Sequence, residues 1–293
     1  MALFAYAVGR VRALEARLIG AERFRQLEES AGWEGLLPEL AGLGYPVPAS
    51  DRNLSEWLRE LRAGLWKLSD HLLEGTDYPY FYRLPIDFNN LVLLARSRAG
   101  LMDSGFEAEP GGSLETKSLE SVWSGQGWFR LPAELAAGLK EGQRRLENDG
   151  PDGFEYELAG AVTRLMLRAS GSSELLARLA VFFIDGWNLR SYAAGGTLRL
   201  PGGRIAPDRF GADRRELLNA FSGCYPAFAA FGRDREWPDG AELEAVLDRT
   251  AAGLLEASRF VTLGPEPVLA YHYQKCSEIT RLHRLLLLKS KGF

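Results

Sequence analysis

The hydrophobic residues of this chain recur mainly at intervals of three and four, the spacing that places them on one face of an α-helix. The N-terminal stripe consists of Phe4, Val8, Val11, Leu14 and Leu18 and predicts a helix over 4–18. A leucine stripe predicts a long amphipathic helix over 54–73. Comparable patterns predict helices from 21 to a stop at 32, and over 35–43, 85–98, 153–170, 172–195, 241–260 and 267–289.

No segment shows the sustained apolar–polar alternation with hairpin turns that is typical of strands. The aromatic stretch 78–82 is bounded by Pro79 and Pro85, and we interpret it as a corner between two helices. Residues 44–48, with one glycine and two prolines, indicate a break between helices. Segments rich in Gly, Pro and charged residues predict loops over 100–112, 148–153, 198–207 and 232–240. The pattern therefore predicts an all-α fold.

A short polar motif, Asp-x-x-Asn-Leu, occurs twice inside these apolar helices. Asp87 and Asn90 belong to the first copy, and Asp185 and Asn188 belong to the second copy, 98 residues later. A weaker third copy at 278–282 lies a further 93 residues on and keeps only the acid, Glu278, and the leucine. A period of about 95 residues in a chain of 293 indicates that the protein was built by triplication.

The repeat extends beyond the motif. Each Asp-x-x-Asn-Leu copy is followed by a glycine pair, at 111–112 and 202–203, and then by a short apolar stretch, at 118–125 and 215–223. The N-terminus supplies only this second half, over 11–20 and 24–32, whereas the C-terminus supplies the lead-in helix. The two chain ends therefore complement each other. We predict one domain over 1–293 made of three pseudo-repeats, with cores near 10–20 together with 278–282, 87–97 and 185–195.

Composition narrows the class of protein. A content of 46% hydrophobic and 25% charged residues is ordinary for a globular protein, and a net charge of −4 gives no support for nucleic-acid binding. The two cysteines, Cys224 and Cys276, form neither a disulfide framework nor a metal-ligand pair. No apolar run approaches the ~20 residues that a membrane-spanning helix needs, and residues 1–18 lack the core of a signal peptide. These observations favour a protein in the cytoplasm or on the cytoplasmic side of a larger assembly.

The acids and amides of the repeat could be read as metal ligands one helical turn apart. However, each helix offers a single carboxylate, and a hard cation needs several oxygen ligands. We therefore interpret Asp87, Asn90, Asp185, Asn188 and Glu278 as a structural repeat core whose polar side chains tie neighbouring loops or helices together. We expect no metal and no cofactor.

Other candidate chemistry is weaker still. His71, His272 and His283 are scattered, and a dyad of His272 with Cys276 lacks an orienting group. The glycine pairs lack the Lys-Ser/Thr sequence and the preceding strand of a phosphate-binding loop. Arg10 and Arg12 could bind a phosphate, but we expect them to pair with acids, for which Glu15, Asp87 and Glu278 are available. We therefore predict no catalytic residues.

With these motifs in order, the sequence resembles the C subunit of the V/A-type (vacuolar/archaeal-type) rotary ATPases, a family whose counterpart in eukaryotic vacuolar ATPases is the d subunit. The resemblance runs nearly from end to end. It rests on residues 6–18 (YAVGRVRALEARL), 87–91 (DFNNL), 185–190 (DGWNLR), 266–271 (EPVLAY), 278–282 (EITRL) and 288–293 (LKSKGF).

The resemblance implies a funnel of three similar helical units around a pseudo-three-fold axis. It implies a non-catalytic rotor subunit that is monomeric in isolation and is not inserted in the membrane. Its partners would be the central-stalk subunits and the membrane proteolipid ring, and it would transmit torque for proton or sodium transport from the cytoplasmic side. No nucleic acid is implied.

Two other functions stay open at this point. A free-standing helical-repeat scaffold or adaptor would show the same architecture, and co-purification with a rotary ATPase would separate it from the rotor subunit. A small all-α enzyme that uses the Asp-x-x-Asn turns with a metal is the third reading. Binding of divalent metal in calorimetry would support that enzyme.

Overall fold

The computed structural model describes residues 2–30, 32–102, 106–231 and 237–291. Every regular element in these ranges is helical, and none of the described residues lies in a β-strand. The all-α prediction is therefore confirmed. The α-helices are α1 (Ala2–Glu15), α2 (Ala21–Glu29), α3 (Gly32–Gly42), α4 (Leu54–Leu72), α5 (Tyr80–Arg98), α6 (Leu119–Trp123), α7 (Ala133–Asp149), α8 (Pro151–Ser170), α9 (Glu174–Ala193), α10 (Arg214–Cys224), α11 (Gly240–Leu255) and α12 (Glu266–Ser290).

Short 3₁₀ helices occupy several of the connections. They span Asp51–Asn53, Thr116–Ser118, Trp128–Arg130, Pro207–Gly211, Pro226–Phe231 and Glu256–Phe260. The last of these corrects the expected helix over 241–260, because α11 ends at Leu255 and the chain tightens into 3₁₀ turns through 260. Part of the expected loop at 232–240 lies outside the described residues.

The longest predicted helices agree closely with the structure. The leucine stripe over 54–73 is α4, and the helix predicted over 267–289 is α12. The helix predicted over 172–195 is α9, which begins after Ser173, whose side chain accepts a hydrogen bond from the backbone N–H of Leu176 at 3.2 Å.

Two predicted boundaries are wrong. The sequence predicts a helix that begins at Pro85, but α5 begins at Tyr80 and carries Pro85 in its interior. An interior proline removes a backbone donor and crowds the preceding turn, and burial of Phe81 and Leu84 offsets that cost. The sequence also predicts a loop over 148–153, where only Gly150 separates α7 from α8. Gly150 has φ 73°, a left-handed conformation that glycine adopts without strain.

The described chain forms two compact units. The first consists of Met1–Gly75 together with Ser258–Phe293, and the second consists of Thr76–Ala257. In the first unit α4 packs against α12, and α1 and α3 also pack against α12. In the second unit α7, α5 and α9 pack against α8, and α11 packs against α9. The single domain over 1–293 and its division into three pseudo-repeats stay predictions.

The pairing of α7 with α8 in the second unit depends on small residues. A Cβ atom on Gly138 would lie 2.4 Å from the Cβ of Ala161, and one on Gly142 would lie 3.0 Å from the ring of Phe154. The helices therefore approach too closely for larger side chains, and α8 becomes a buried support against which both motif-bearing helices, α5 and α9, pack.

Candidate functional site

The second copy of the motif lies on the buried face of α9, and its acid is fully enclosed. Asp185 is 0% exposed. Its carboxylate accepts hydrogen bonds from the backbone N–H groups of Arg204 and Ile205 at 2.9 and 3.1 Å. It also accepts one from the hydroxyl of Tyr225 at 2.5 Å. All three partners are donors, which suits an ionised carboxylate, because a carboxylate only accepts hydrogen bonds.

One turn further along α9, Asn188 binds the same loop in a different way. Its side-chain carbonyl accepts from the backbone N–H of Leu200 at 2.7 Å, and its side-chain NH₂ donates to the backbone carbonyl of Leu200 at 2.9 Å. A single residue of the loop is therefore held by both of its backbone polar groups. Only a side chain that is both donor and acceptor can do this, which explains an amide here and an acid at 185.

The first copy, on α5, repeats this arrangement. Asp87 accepts from the backbone N–H groups of Ser113 and Leu114 at 2.9 and 3.0 Å, and also from the hydroxyl of Ser113. Asn90 accepts from the backbone N–H of Glu109 at 2.7 Å and donates to its carbonyl at 2.8 Å. Both side chains are buried. We use the name acid–amide clamp for each such set, which consists of an acid, an amide and the loop backbone that they bind.

The two clamped loops correspond residue by residue. The first glycine loop (109–114) and the second glycine loop (200–205) share the order x-Pro-Gly-Gly-x-Leu/Ile. The first glycine of each pair has positive φ, 105° at Gly111 and 94° at Gly202. Glycine is the residue that adopts this conformation at no steric cost, so both loops turn at the same place above the acid.

The second glycine of each pair is required for a different reason. A Cβ on Gly112 would lie 2.0 Å from a carboxylate oxygen of Asp87, and a Cβ on Gly203 would lie 2.0 Å from a carboxylate oxygen of Asp185. The backbone can donate to the carboxylate only because no side chain stands between them. The glycine pairs are therefore part of the clamps, and they are not phosphate-binding loops.

Burial dominates the electrostatics of both acids. It raises the pKa of Asp87 and of Asp185 above the ordinary aspartate range, and the hydrogen bonds donated to each carboxylate oppose that shift. Burial, followed by the hydrogen bond to Asp185, raises the pKa of Tyr225, so its hydroxyl keeps the proton that it donates. These groups therefore satisfy one another within the fold.

The third motif acid, Glu278 on α12, is also held by hydrogen-bond donors from other segments. It is 6% exposed and accepts from the backbone N–H of Ile19 at 2.5 Å and from the hydroxyl of Tyr45. Lys275 donates to the same carboxylate at 2.5 Å and to the Tyr45 hydroxyl at 2.6 Å. There is no amide in this copy. Glu278 instead binds two segments near the N-terminus to the last helix.

Sequence reasoning missed the tyrosines. Tyr45 and Tyr225 each donate a hydroxyl to a motif acid, and each stands before a proline, Pro46 or Pro226. The Tyr-Pro pair that occurs at both 45–46 and 225–226 was the signal in the sequence for these tyrosines, but residues 44–48 by themselves indicate only a break between helices. Around Asp87 the donor is the hydroxyl of Ser113.

The remaining candidates are scattered. His272 is buried, and its Nδ1 lies 2.8 Å from the hydroxyl of Ser69. Arg12 pairs with Glu15 on its own helix at 2.7 Å and donates to the carbonyl of Ser258 at 2.8 Å. Within the described ranges, no three His, Cys, Asp or Glu side chains form a group that could hold a metal ion.

A cleft of about 430 Å³ lies in the second unit beside the clamped helices. Aromatic and aliphatic side chains form most of its wall, including Phe88, Phe183 and Trp187. The ion pair of Arg190 with Glu244, at 2.7 Å, also lines it. The wall of this cleft is therefore mainly apolar, with one charged pair.

In the described parts of the chain, no helix has both the length and the apolar character needed to cross a membrane. Comparison with protein-family models gave no match, and comparison with curated proteins found no relative.

Proposed function

We propose that this protein is the non-catalytic central-rotor subunit of a V/A-type ATPase or ATP synthase. In this role it links the central stalk to the membrane proteolipid ring and transmits torque for proton or sodium transport. It acts as a peripheral component on the cytoplasmic side of the membrane. It would have the form of a funnel of three similar units around a pseudo-three-fold axis.

The observation that carries the proposal is the use to which the repeated acids are put. Asp87, Asp185 and Glu278 are all buried, and each carboxylate is occupied by donors from the protein's own loops. Repetition of a structural tie, without a repeated reactive group, favours a mechanical role over catalysis. Together with the end-to-end resemblance to the C subunit of rotary ATPases, it favours the rotor subunit.

The clamps suit a part that bears torque. An exposed loop on a helical protein is ordinarily its softest element, because few of its backbone groups are held. In the two glycine loops, backbone groups at both ends are bound to one helix through hydrogen bonds that are partly buried in the first loop and buried in the second. Such loops resist displacement relative to their helices, which a coupling part between a stalk and a ring requires.

The hydrogen bonds of Glu278 support the proposal that an early and a late segment of the chain belong to one unit. One of these hydrogen bonds joins residues separated by 259 positions, Ile19 and Glu278, and is partly buried. A tie between an early and a late segment of the chain is what a third unit made from the two complementary halves of the repeat would need.

The test is co-purification of the tagged chain from native membranes under mild detergent. We expect the nucleotide-hydrolysing subunits and the proteolipid to accompany it in fixed proportion. Recovery of the chain alone, or with an unrelated set of proteins, would contradict the proposal and favour the free-standing scaffold. Membranes from cells lacking the chain should retain ATP hydrolysis by the detached catalytic sector but lose ATP-driven ion transport.

A further inference from the structure

The second glycine loop continues into a strongly basic segment. Five arginines, Arg199, Arg204, Arg209, Arg214 and Arg215, stand within residues 199–215, which contain only two acids. We call these five residues the arginine seam. Four of them are exposed and Arg199 is half-buried. This concentration of positive charge occurs in a chain whose net charge is −4.

None of the five arginines forms an ion pair with a described residue, although other arginines of this unit do. Arg190 pairs with Glu244 at 2.7 Å, and Arg145 pairs with Asp149 at 2.7 Å. Of the two acids inside the segment, Asp213 uses its carboxylate to cap α10 by accepting from the backbone N–H of Glu216 at 2.8 Å. Among the described residues, Arg209, Arg214 and Arg215 therefore present guanidinium groups without a carboxylate partner. Arg204, by contrast, is an electrostatic partner of the buried Asp185.

Aromatic rings hold guanidinium groups of the seam in place. Arg199 lies 5.6 Å from the ring centre of Tyr192 and 5.1 Å from that of Phe210, and its NH groups donate to backbone carbonyls of the preceding loop. Arg214 lies 5.5 Å from the ring of Trp237. A guanidinium stacked on a ring keeps its edge N–H groups directed away from the ring and available to an acceptor.

The loop in the corresponding place elsewhere in this unit shows that the clamp does not need these arginines. Aligned on the glycine pairs, residues 199–215 correspond to residues 108–124, which contain three acids and a single basic residue, Lys117. The clamps at Asp87 and Asp185 are nevertheless built from the same backbone hydrogen bonds. The hydrogen bonds of the clamps therefore do not account for the exposed arginines Arg209, Arg214 and Arg215.

We propose that the arginine seam is a docking surface for a carboxylate-rich segment of a neighbouring protein subunit. The proposal rests on the proposed function, in which this chain has a subunit on either side. Arginine presents its N–H groups in a fork that matches a carboxylate, and such pairs form strong, directional hydrogen bonds. The N–H groups of Arg199 are used within its own loop, whereas no carboxylate of the described residues pairs with Arg209, Arg214 or Arg215.

The composition of the seam favours a protein over a lipid or a nucleic acid. Arginine, tryptophan and tyrosine are the residues that carry most of the energy at protein interfaces. Guanidinium groups held at fixed positions by rings suit a partner whose carboxylates are also fixed, and mobile headgroups would not need such order. A nucleic acid would want a more extended basic stripe, which the interspersed Asp208 and Asp213 interrupt.

The experiment is rebinding of the purified full-length chain to membranes from cells that lack it. The test variant carries Arg209→Ala, Arg214→Ala and Arg215→Ala, three exposed changes outside the clamps. The control variant removes the same charge elsewhere in the unit with Lys117→Ala, Lys140→Ala and Arg178→Ala, all exposed. We expect the test variant to bind about tenfold more weakly in ~0.1 M salt, with a flatter salt dependence, and the control to bind within about twofold of wild type.

A parallel arm uses vesicles made from lipids extracted from the same membranes. The wild-type chain should bind the membranes but not these vesicles. Equal rebinding by the test variant and the wild type overturns the docking surface and leaves the rotor proposal standing. Vesicle binding that the test variant loses would assign the seam to lipid headgroups and also overturn it. Failure of the wild type to rebind at all would overturn the rotor proposal and, with it, the inference. Thermal melts confirm that both variants are folded.

Discussion

The two glycine loops of the second unit have the same buried side and different exposed sides. Facing the helix, each loop gives one residue to an asparagine and two backbone N–H groups to an aspartate. Facing outward, the segment around the first loop is acidic and the segment around the second is rich in arginine. Buried backbone groups must find partners, so the inner side is constrained, whereas exposed charges have little effect on folding and can follow the needs of a partner.

A second difference lies within the clamps. Asp185 receives its third hydrogen bond from Tyr225, whereas Asp87 receives it from Ser113 in the loop itself. Tyr225 also packs edge-on against Phe182 at 5.1 Å, so it joins α9 to the segment after α10. The clamp of Asp185 therefore ties three pieces of chain together, and that of Asp87 ties two.

The largest expected effect comes from removing the acids. Asp185→Ala and Asp87→Ala each leave buried backbone donors without an acceptor, and we expect each to lower the free energy of unfolding by about 3 kcal/mol. Urea unfolding followed by circular dichroism measures this. Asp208→Ala, at an exposed position of the 3₁₀ helix Pro207–Gly211, serves as the control and should change stability by less than about 0.5 kcal/mol. A similarly small change at Asp185 would mean that the clamp does not support the fold.

Removing the amides should have the next largest effect. Asn188→Ala and Asn90→Ala each leave the backbone N–H and carbonyl of one loop residue without their partner. We expect each to lower the free energy of unfolding by about 2 kcal/mol. Since the two clamps share no residue, the double variant should show the sum of the single costs within about 0.5 kcal/mol. Loss of coupled transport by a stable, fully assembled Asn188→Ala complex would argue instead for a chemical role of this side chain.

The glycines next to the acids offer a steric test. In Gly203→Ala and Gly112→Ala the new methyl group would overlap the carboxylate, so the loop must shift, and we expect a loss of about 1.5 kcal/mol in each. Gly223→Ala is the matched control, because that glycine lies in α10 with open space around it. It should leave stability unchanged or raise it by up to about 1 kcal/mol. Equal behaviour of all three variants would contradict the close approach of loop and acid.

The smallest expected effect separates the two clamps from each other. Tyr225→Phe keeps the ring and removes the hydroxyl, and Ser113→Ala removes the corresponding hydroxyl near Asp87; each should cost about 1 kcal/mol. Combining Tyr225→Phe with Asp185→Ala should cost less than the sum of the two, because both remove the same hydrogen bond. Full additivity of that pair, measured by thermal and urea unfolding, would show that the tyrosine acts through its packing alone.

Much of the fold was predictable from the apolar pattern. The apolar stripes that predicted α4 and α12 form the buried face of each helix. Burial of that face both sets the helical spacing of the apolar residues and stabilises the helix. Pro85 misled the prediction because a proline usually begins or ends a helix, and only packing of its neighbours keeps α5 continuous. At 148–153 the polar and glycine content predicted a loop, whereas a single left-handed glycine makes the whole turn.

The sequence by itself determined that Asp87, Asn90, Asp185 and Asn188 are equivalent in pairs, because a repeated polar residue inside an apolar helix must have a repeated partner. It also determined that the glycine pairs recur behind them. Only the tertiary structure decided what the partners are: backbone groups of the glycine loops, with Tyr45 and Tyr225 reaching acids far away in the chain. Hydrogen bonds between distant segments leave no period in the sequence, and the acceptor of a backbone N–H is chosen by how the chain folds back and not by the residue that carries it.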